Sequence, residues 1–168
     1  MVLGLHRSRG WTRRRPDWAA AVGAGVVGGA VLIVLDLLWS ALVTGDSPWR
    51  TSRLIAAIVM GPDTLQAGDF AFGVVAVALV THYVLGIVFA LVLAWIVAAL
   101  HWEASLGMQE VIGAVFGTVL YVVDFHVMTL VFPWLAELRG WPTYLSHLVF
   151  GVTLVVVYPL LARRRASA

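Results

Sequence analysis

Two histidines with matching neighbours are the residues of this chain best suited to chemistry. His82 lies in segment 81–86, T-H-Y-V-L-G, and His147 lies in segment 146–151, S-H-L-V-F-G, so that a hydroxyl residue, a histidine and a glycine recur in register. Imidazole titrates near neutral pH and is a common metal ligand. The two positions therefore suit proton transfer or cation binding.

A second repeated pattern supplies a carboxylate to each half of the chain. Two glycines four residues apart are followed seven residues later by an aspartate, as Gly25, Gly29 and Asp36 and again as Gly113, Gly117 and Asp124. Residues at such spacing share one helix face, and paired small residues let membrane helices pack closely. The pattern predicts two related halves, about 18–100 and 110–162, each with an Asp on its first helix and a His on its second.

The composition indicates that these helices lie in a membrane. Apolar residues make up 61% of the chain and charged residues 12%, and the mean hydropathy is +0.94. A spanning helix needs about 20 apolar residues, and four stretches qualify: 18–43, 70–100, 110–132 and 143–161. The sequence predicts one all-α transmembrane domain over 1–168, built as two parallel two-helix repeats between the basic termini 1–17 and 163–168.

The absence of cysteine limits the chemistry of the chain. With no cysteine there is no disulfide, thiolate nucleophile or cysteine-bound metal. No serine accompanied by a suitable base emerges either, so we predict a protein that is not an enzyme. Any bound metal would use His, Asp or carbonyl ligands.

The arginines predict the orientation. Eight of the eleven lie in the two termini, and cytoplasmic flanks of membrane helices retain positive charge. We therefore expect both termini in the cytoplasm of a bacterial inner membrane, with lipid rather than nucleic acid as the surrounding partner. The tryptophans are expected at the two membrane boundaries, with Trp11, Trp18, Trp95 and Trp102 inside and Trp39, Trp49, Trp134 and Trp141 outside.

The long connection in the first half contains one further predicted helix. Residues 49–60 follow Ser47-Pro48, a helix start, and precede Gly61-Pro62, a helix stop. Its apolar residues recur at helical spacing, as in a helix that lies in the membrane interface. It would be either a surface anchor or a lid over the Asp/His residues.

Five polar residues are expected in the outer half of the bundle or near its midplane: Asp36, His82, Asp124, His126 and His147. Ionisable residues at that depth are costly and often mark ion paths. His126 lies only two residues from Asp124 and so points to another side of its helix. It would be either a contact for a partner or an additional ligand that depends on a kink.

Three interpretations of these residues stay open. Each Asp could pair with one imidazole and only lock the bundle, as polar groups often do between membrane helices. The same atoms could bind a proton or a divalent cation, as in a transport or relay protein. As a third interpretation, His82 and His147 could be axial ligands of haem, with Gly86 and Gly151 making room for the macrocycle.

The T-H-x-x-x-G and S-H-L-V motifs, the glycine-spaced third span and the basic tail resemble the YagU-like family of small bacterial inner-membrane proteins. The resemblance implies a four-helix inner-membrane protein with recurring helix histidines, and it implies no catalytic residue. We expect a small membrane protein whose Asp/His cluster binds a proton or cation. The alternative is an accessory or assembly subunit of a larger membrane complex, in which the polar pairs are purely structural. Besides lipid, the expected partners are another membrane protein or further copies of this chain.

Overall fold

The computed structural model describes residues 15–45, 47–66, 68, 70–99 and 106–166. Across these ranges the chain is almost entirely helical and has no strand. The α-helices are α1 (Trp18–Trp39), α2 (Pro48–Met60), α3 (Phe72–Ala99), α4 (Leu106–Val122) and α5 (Trp141–Ala166). Short 3₁₀ helices, Pro62–Gln66 and Pro133–Leu138, complete the two connections at one end of the bundle. The predicted all-α class is confirmed.

Four helical stretches are long and apolar enough to cross a membrane: Trp18–Val43, Phe72–Ala99, Gly107–Leu130 and Trp141–Arg165. They correspond to the four predicted spans. The fourth is longer than predicted at both ends. It begins two residues earlier, at Trp141, and α5 continues at its other end through three arginines whose charges favour the C-terminal end of a helix. The N-terminal arm is described only from Arg15 onwards, so the four preceding arginines of the topology prediction lie outside the described residues.

The spans form a curved row in the order α3, α1, α5, α4. Helix α1 packs against both α3 and α5, and α5 packs against α4. In the part of the chain that the structure describes, α3 and α4 share no extended contact. The order matters for the polar residues, because α1 and α5 are the two central helices and each has a neighbour on either side.

Glycines set the closest helix contacts. A Cβ added to Gly25 would lie 2.7 Å from the Cα of Ile87 on α3, and one added to Gly113 would lie 2.7 Å from the carbonyl oxygen of Gly151 on α5. A Cβ on Gly86 would meet the Gly25 carbonyl oxygen at 3.4 Å. The predicted small-xxx-small faces are therefore confirmed as sites of backbone approach.

Helix α2 is tied to the 3₁₀ helix of the other connection. The Trp134 indole Nε1 donates to the Leu54 carbonyl at 3.0 Å, and Arg50 forms an ion pair with Glu137 at 2.7 Å. The helix ends at Gly61, which has φ +92° and so suits glycine. The predicted helix 49–60 is thus confirmed, and both connections meet at the end of the bundle that we call the α2 end.

The start of α1 and the end of α5 meet at the opposite end. Asp17 caps α1 by accepting from the Ala20 amide at 3.0 Å. Its carboxylate also lies 3.7 Å from the Arg165 Nε, and its amide donates to the Tyr158 hydroxyl at 3.1 Å. These contacts fix the first and last spans beside each other.

Candidate functional site

The two aspartates that match in sequence lie in different backbone conformations. Asp36 is in the regular part of α1, and a π-helical turn, Ser40–Thr44, begins four residues after it. Asp124 lies inside the π-helical turn Val123–Val127 that follows α4. A π turn widens the helix and redirects its side chains, and such turns are frequent at functional sites. The sequence repeat therefore does not place the two carboxylates equivalently.

His147 and Asp124 form the clearest pair. The His147 Nε2 lies 3.5 Å from the Asp124 Oδ2, while its Nδ1 is 2.8 Å from the Thr143 carbonyl oxygen. A carbonyl can only accept, so Nδ1 carries a hydrogen. In neutral His147, Nε2 would then present a lone pair to the carboxylate. The contact is attractive only when a proton is held by the imidazole or by the carboxyl group.

His82 forms its backbone hydrogen bond through Nε2, whereas His147 uses Nδ1. Its Nε2 lies 3.0 Å from the carbonyl oxygen of Gly29 on α1 and therefore donates to it. The bond crosses from α3 to α1 and orients the ring, which also stands edge-on to Tyr83. In the neutral form, His82 is left with Nδ1 as its acceptor.

Asp36 faces α5 rather than α3. Its electrostatic partner is His147, and its carboxylate faces Ser146, although the fully buried Ser146 hydroxyl forms no hydrogen bond of ordinary geometry. Asp36 of the first half therefore interacts with the histidine of the second half, whereas His82 bonds the Gly29 carbonyl. The central position of α1 explains the difference, because it lets Asp36 reach α5 while the His82 Nε2 is bonded to Gly29.

One cavity brings these residues together. Asp36, His82, Asp124 and His147 all line a space of about 360 Å³ at the α2 end of the bundle. Its walls are mainly apolar, and α2 lies over it through Arg50, Thr51, Ile55 and Ile58. This position agrees with the lid interpretation of α2, and the interpretation as a surface anchor stays open beside it.

His126 lies outside this group. It is exposed, and its ring is 5.6 Å from that of Tyr121. It does not line the cavity. Of the two predicted roles, the geometry matches an outward contact and not an additional ligand for the cluster.

The arrangement of the side chains can be compared with the needs of the two cofactors considered from the sequence, a divalent cation and haem. Within the described ranges, no three His, Asp or Glu side chains are grouped so that they could hold one metal ion. The space beside Gly151 is filled by the backbone of α4 at Gly113, and that beside Gly86 by the backbone of α1 at Gly25. These glycines therefore admit helices and leave no room for a macrocycle.

Several groups at the site have no counterpart in the sequence prediction. The Thr143 carbonyl orients His147, and the Trp39 side chain lines the cavity although only a boundary role was expected. Trp39 lies three residues after Asp36, on the same helix face, which was the available signal. At the cavity mouth, Arg139 donates to the Phe125 carbonyl at 2.5 Å and to the Thr129 hydroxyl at 2.9 Å.

Known proteins offer no further assignment. Comparison with protein-family models, with curated proteins and with solved structures finds no match for this chain. The resemblance to the YagU-like family therefore stays a prediction.

Proposed function

We propose that this is a non-enzymatic membrane protein that holds a proton between Asp124 and His147 and serves in proton-coupled transport or a proton relay. The observation that carries the proposal is the fixed orientation of His147. Its Nδ1 donates to Thr143, so its Nε2 faces Asp124 at 3.5 Å without a hydrogen of its own in the neutral ring. The pair is attractive only with an added proton.

The surroundings of Asp124 and His147 favour a proton that is exchanged rather than an ion pair that is permanent and only structural. The pair borders a cavity at the α2 end, so water can deliver protons from that side. Asp36 also interacts electrostatically with His147 and offers a second carboxylate that stabilises the imidazolium. His82 lines the same cavity with Nδ1 left as its acceptor. These groups form a small set of titratable side chains around one cavity, as in intramembrane proton paths.

We further propose the membrane and the orientation. The four spans are taken to lie in a bacterial inner membrane, with the Asp17–Arg165 contact at the cytoplasmic face and the α2 end outside. The arginines of the chain termini support this orientation. The cavity would then accept protons from the outer side.

Infrared difference spectroscopy of the full chain in lipid nanodiscs, recorded across the histidine titration range near pH 6.5, tests the proton site. We expect a carboxyl or imidazole band that titrates in the native protein and is lost in both Asp124→Asn and His147→Gln. The Asp63→Asn variant is the matched control, because Asp63 is exposed and lies outside the cavity. A difference spectrum that is the same in the native protein and in both site variants would overturn the proposal.

A second candidate function is that of an accessory subunit in a larger membrane complex. It is favoured by the exposed His126, because a polar side chain facing lipid is costly unless another protein covers it. A photoreactive residue introduced at position 126 in native membranes tests this candidate. A single defined protein adduct would support the subunit role, whereas lipid adducts alone would exclude it.

A further inference from the structure

The cavity at the α2 end is larger than a proton needs. Its volume of about 360 Å³ falls in the range of about 300–1,000 Å³ that is typical of small-molecule sites. The lining is mainly aliphatic and aromatic, with Leu32, Leu85, Phe89 and Phe150 among its walls. The space therefore suits a molecule with an apolar body.

The charges at the inner part of the cavity favour a cation. Two carboxylates, Asp36 and Asp124, stand beside His147, which can contribute one positive charge at most. His82 donates its Nε2 hydrogen to Gly29 and faces the same space. When both carboxylates are ionised and His147 is protonated, one negative charge is left uncompensated. A monovalent cation balances it.

The mouth does not cancel this preference. Arg50 and Glu137 compensate each other at 2.7 Å, whereas Arg139 keeps its positive charge, because the Phe125 carbonyl and the Thr129 hydroxyl that it bonds are neutral acceptors. These side chains are exposed or partly exposed, so solvent and salt screen them more than the inner groups. Asp36 and Asp124 therefore decide which sign of ligand charge the cavity prefers.

The aromatic lining fits an organic cation. Aromatic rings of Trp39, Phe89, Phe125 and Phe150 line the cavity, and ring faces attract ammonium groups by cation–π interaction. A hydrated inorganic ion would gain little from these rings.

We propose that the cavity binds a monovalent organic cation with an apolar body, an amine or quaternary ammonium compound, with its charge at Asp36. The inference rests on the proposed proton site, because a cation at Asp36 and a proton held between Asp124 and His147 repel each other within the cavity that all three residues line. Binding of the cation therefore releases a proton, and lowering the pH weakens binding. Cation and proton would thus exchange within one cavity.

Isothermal titration calorimetry of the full chain in detergent, with benzyltrimethylammonium as the probe, tests this inference. The probe cannot titrate, so any effect of pH reports the protein alone. We expect saturable binding that is at least tenfold weaker in Asp36→Asn and unchanged in Asp63→Asn. Benzyl alcohol, which is neutral, and benzenesulfonate, which is an anion, should not compete with the probe.

The same titration separates the two proposals when it is repeated in two buffers of different ionisation enthalpy, since the difference in heat counts the protons released. Binding with proton release supports both proposals. Saturable binding without proton release overturns the exchange and speaks against the proton site. Absence of saturable binding, or equal affinity in Asp36→Asn, overturns the organic-cation site, and the infrared titration of Asp124 and His147 would still decide the proton site independently.

Discussion

His147 is bordered by two carboxylates that come from different helices. Asp124 approaches from the π turn after α4 and Asp36 from α1. In the proposed proton site, each carboxylate stabilises the same imidazolium, so the loss of one changes how much the other contributes. We therefore expect the two aspartates to be energetically coupled and not to act as two independent locks.

This coupling predicts the outcome of a double-mutant cycle on Asp36→Asn and Asp124→Asn. Each single variant should lower stability by about 1–3 kcal/mol at neutral pH, as expected when a buried polar partner is removed. The stability change of the double variant should differ from the sum of the two single changes by about 0.5 kcal/mol or more, as is found for residues with a shared partner. Thermal unfolding in detergent measures all three.

Asp63→Asn is the control for this cycle and should change stability little, because Asp63 is exposed. If the stability change of the double variant equals the sum of the two single changes to within about 0.3 kcal/mol, the two aspartates act separately. The hypothesis of one shared site would then be abandoned in favour of structural pairs.

The recurring Asp and His positions predicted a cluster of Asp36, His82, Asp124 and His147, with His126 as a tentative fifth member. The first four line one cavity and His126 does not, but how they pair was not predictable. The pairing depends on the π turn at Asp124 and on the order of the helices in the row, and neither feature has a local sequence signal. Equivalent positions in a repeat consequently received different partners.

Among the helices, the contact between α4 and α5 depends on glycines that admit backbone directly. A Cβ added to Gly117 would overlap the carbonyl oxygen of His147, and one added to Gly151 would overlap that of Gly113. A backbone group cannot rotate away as a side chain can. The two helices would have to separate.

We therefore predict that Gly117→Ala lowers the free energy of unfolding by about 1–3 kcal/mol, the usual range for overpacking. It should also displace His147 and so alter the infrared titration of the site. Thermal unfolding and the infrared spectrum measure the two effects.

Gly73→Ala is the matched control, because Gly73 is helical and an added Cβ there would meet nothing within 4 Å. It should be neutral, or stabilising by up to about 1 kcal/mol, since alanine favours helix over glycine. Equal effects of the two substitutions would show that helix propensity, and not backbone approach, sets the response.

Helix α2 packs against α3 and buries Leu54, Ala56 and Ala57, while its polar contacts with the other connection are weak individually. An exposed ion pair such as Arg50–Glu137 contributes about 0.2–1 kcal/mol, and the Trp134–Leu54 bond adds about 1 kcal/mol. We predict that Arg50→Gln together with Trp134→Phe lets α2 move away more often, with little loss of overall stability.

The lack of native cysteine makes this prediction measurable. Thr143→Cys introduces one thiol in the cavity lining, and its rate of reaction with a membrane-impermeant maleimide reports access. The rate should rise several-fold when the two α2 contacts are removed. An unchanged rate would mean that α2 does not limit entry to the cavity.

At the scale of the whole molecule, the fold was the most predictable part. Long apolar stretches define membrane helices with few alternatives, because backbone groups in lipid must be bonded internally. The order of the helices in the row was not predictable, since apolar faces of similar composition give no preference for one neighbour over another. The glycine faces indicated close packing without specifying every partner.

The proposed orientation predicts the results of reporter fusions. A reporter at Ala168 should be active in the cytoplasm, and reporters inserted near Gly68 or Gly140 should be active outside, because the arginine-rich ends stay on the cytoplasmic side. A C-terminal reporter that is active outside would contradict the orientation and would reverse the side from which the cavity opens.

The arrangement of α1 beside α5 has a consequence for biogenesis. The ribosome releases α1, α3 and α4 before α5, yet α5 carries both His147, the partner of Asp36 and Asp124, and Arg165, the partner of Asp17. A nascent chain that lacks α5 holds both carboxylates without this imidazole. Insertion of α5 is thus the step at which these acids gain their histidine partner, and chains truncated before α5 should be prominent substrates for membrane quality-control proteases.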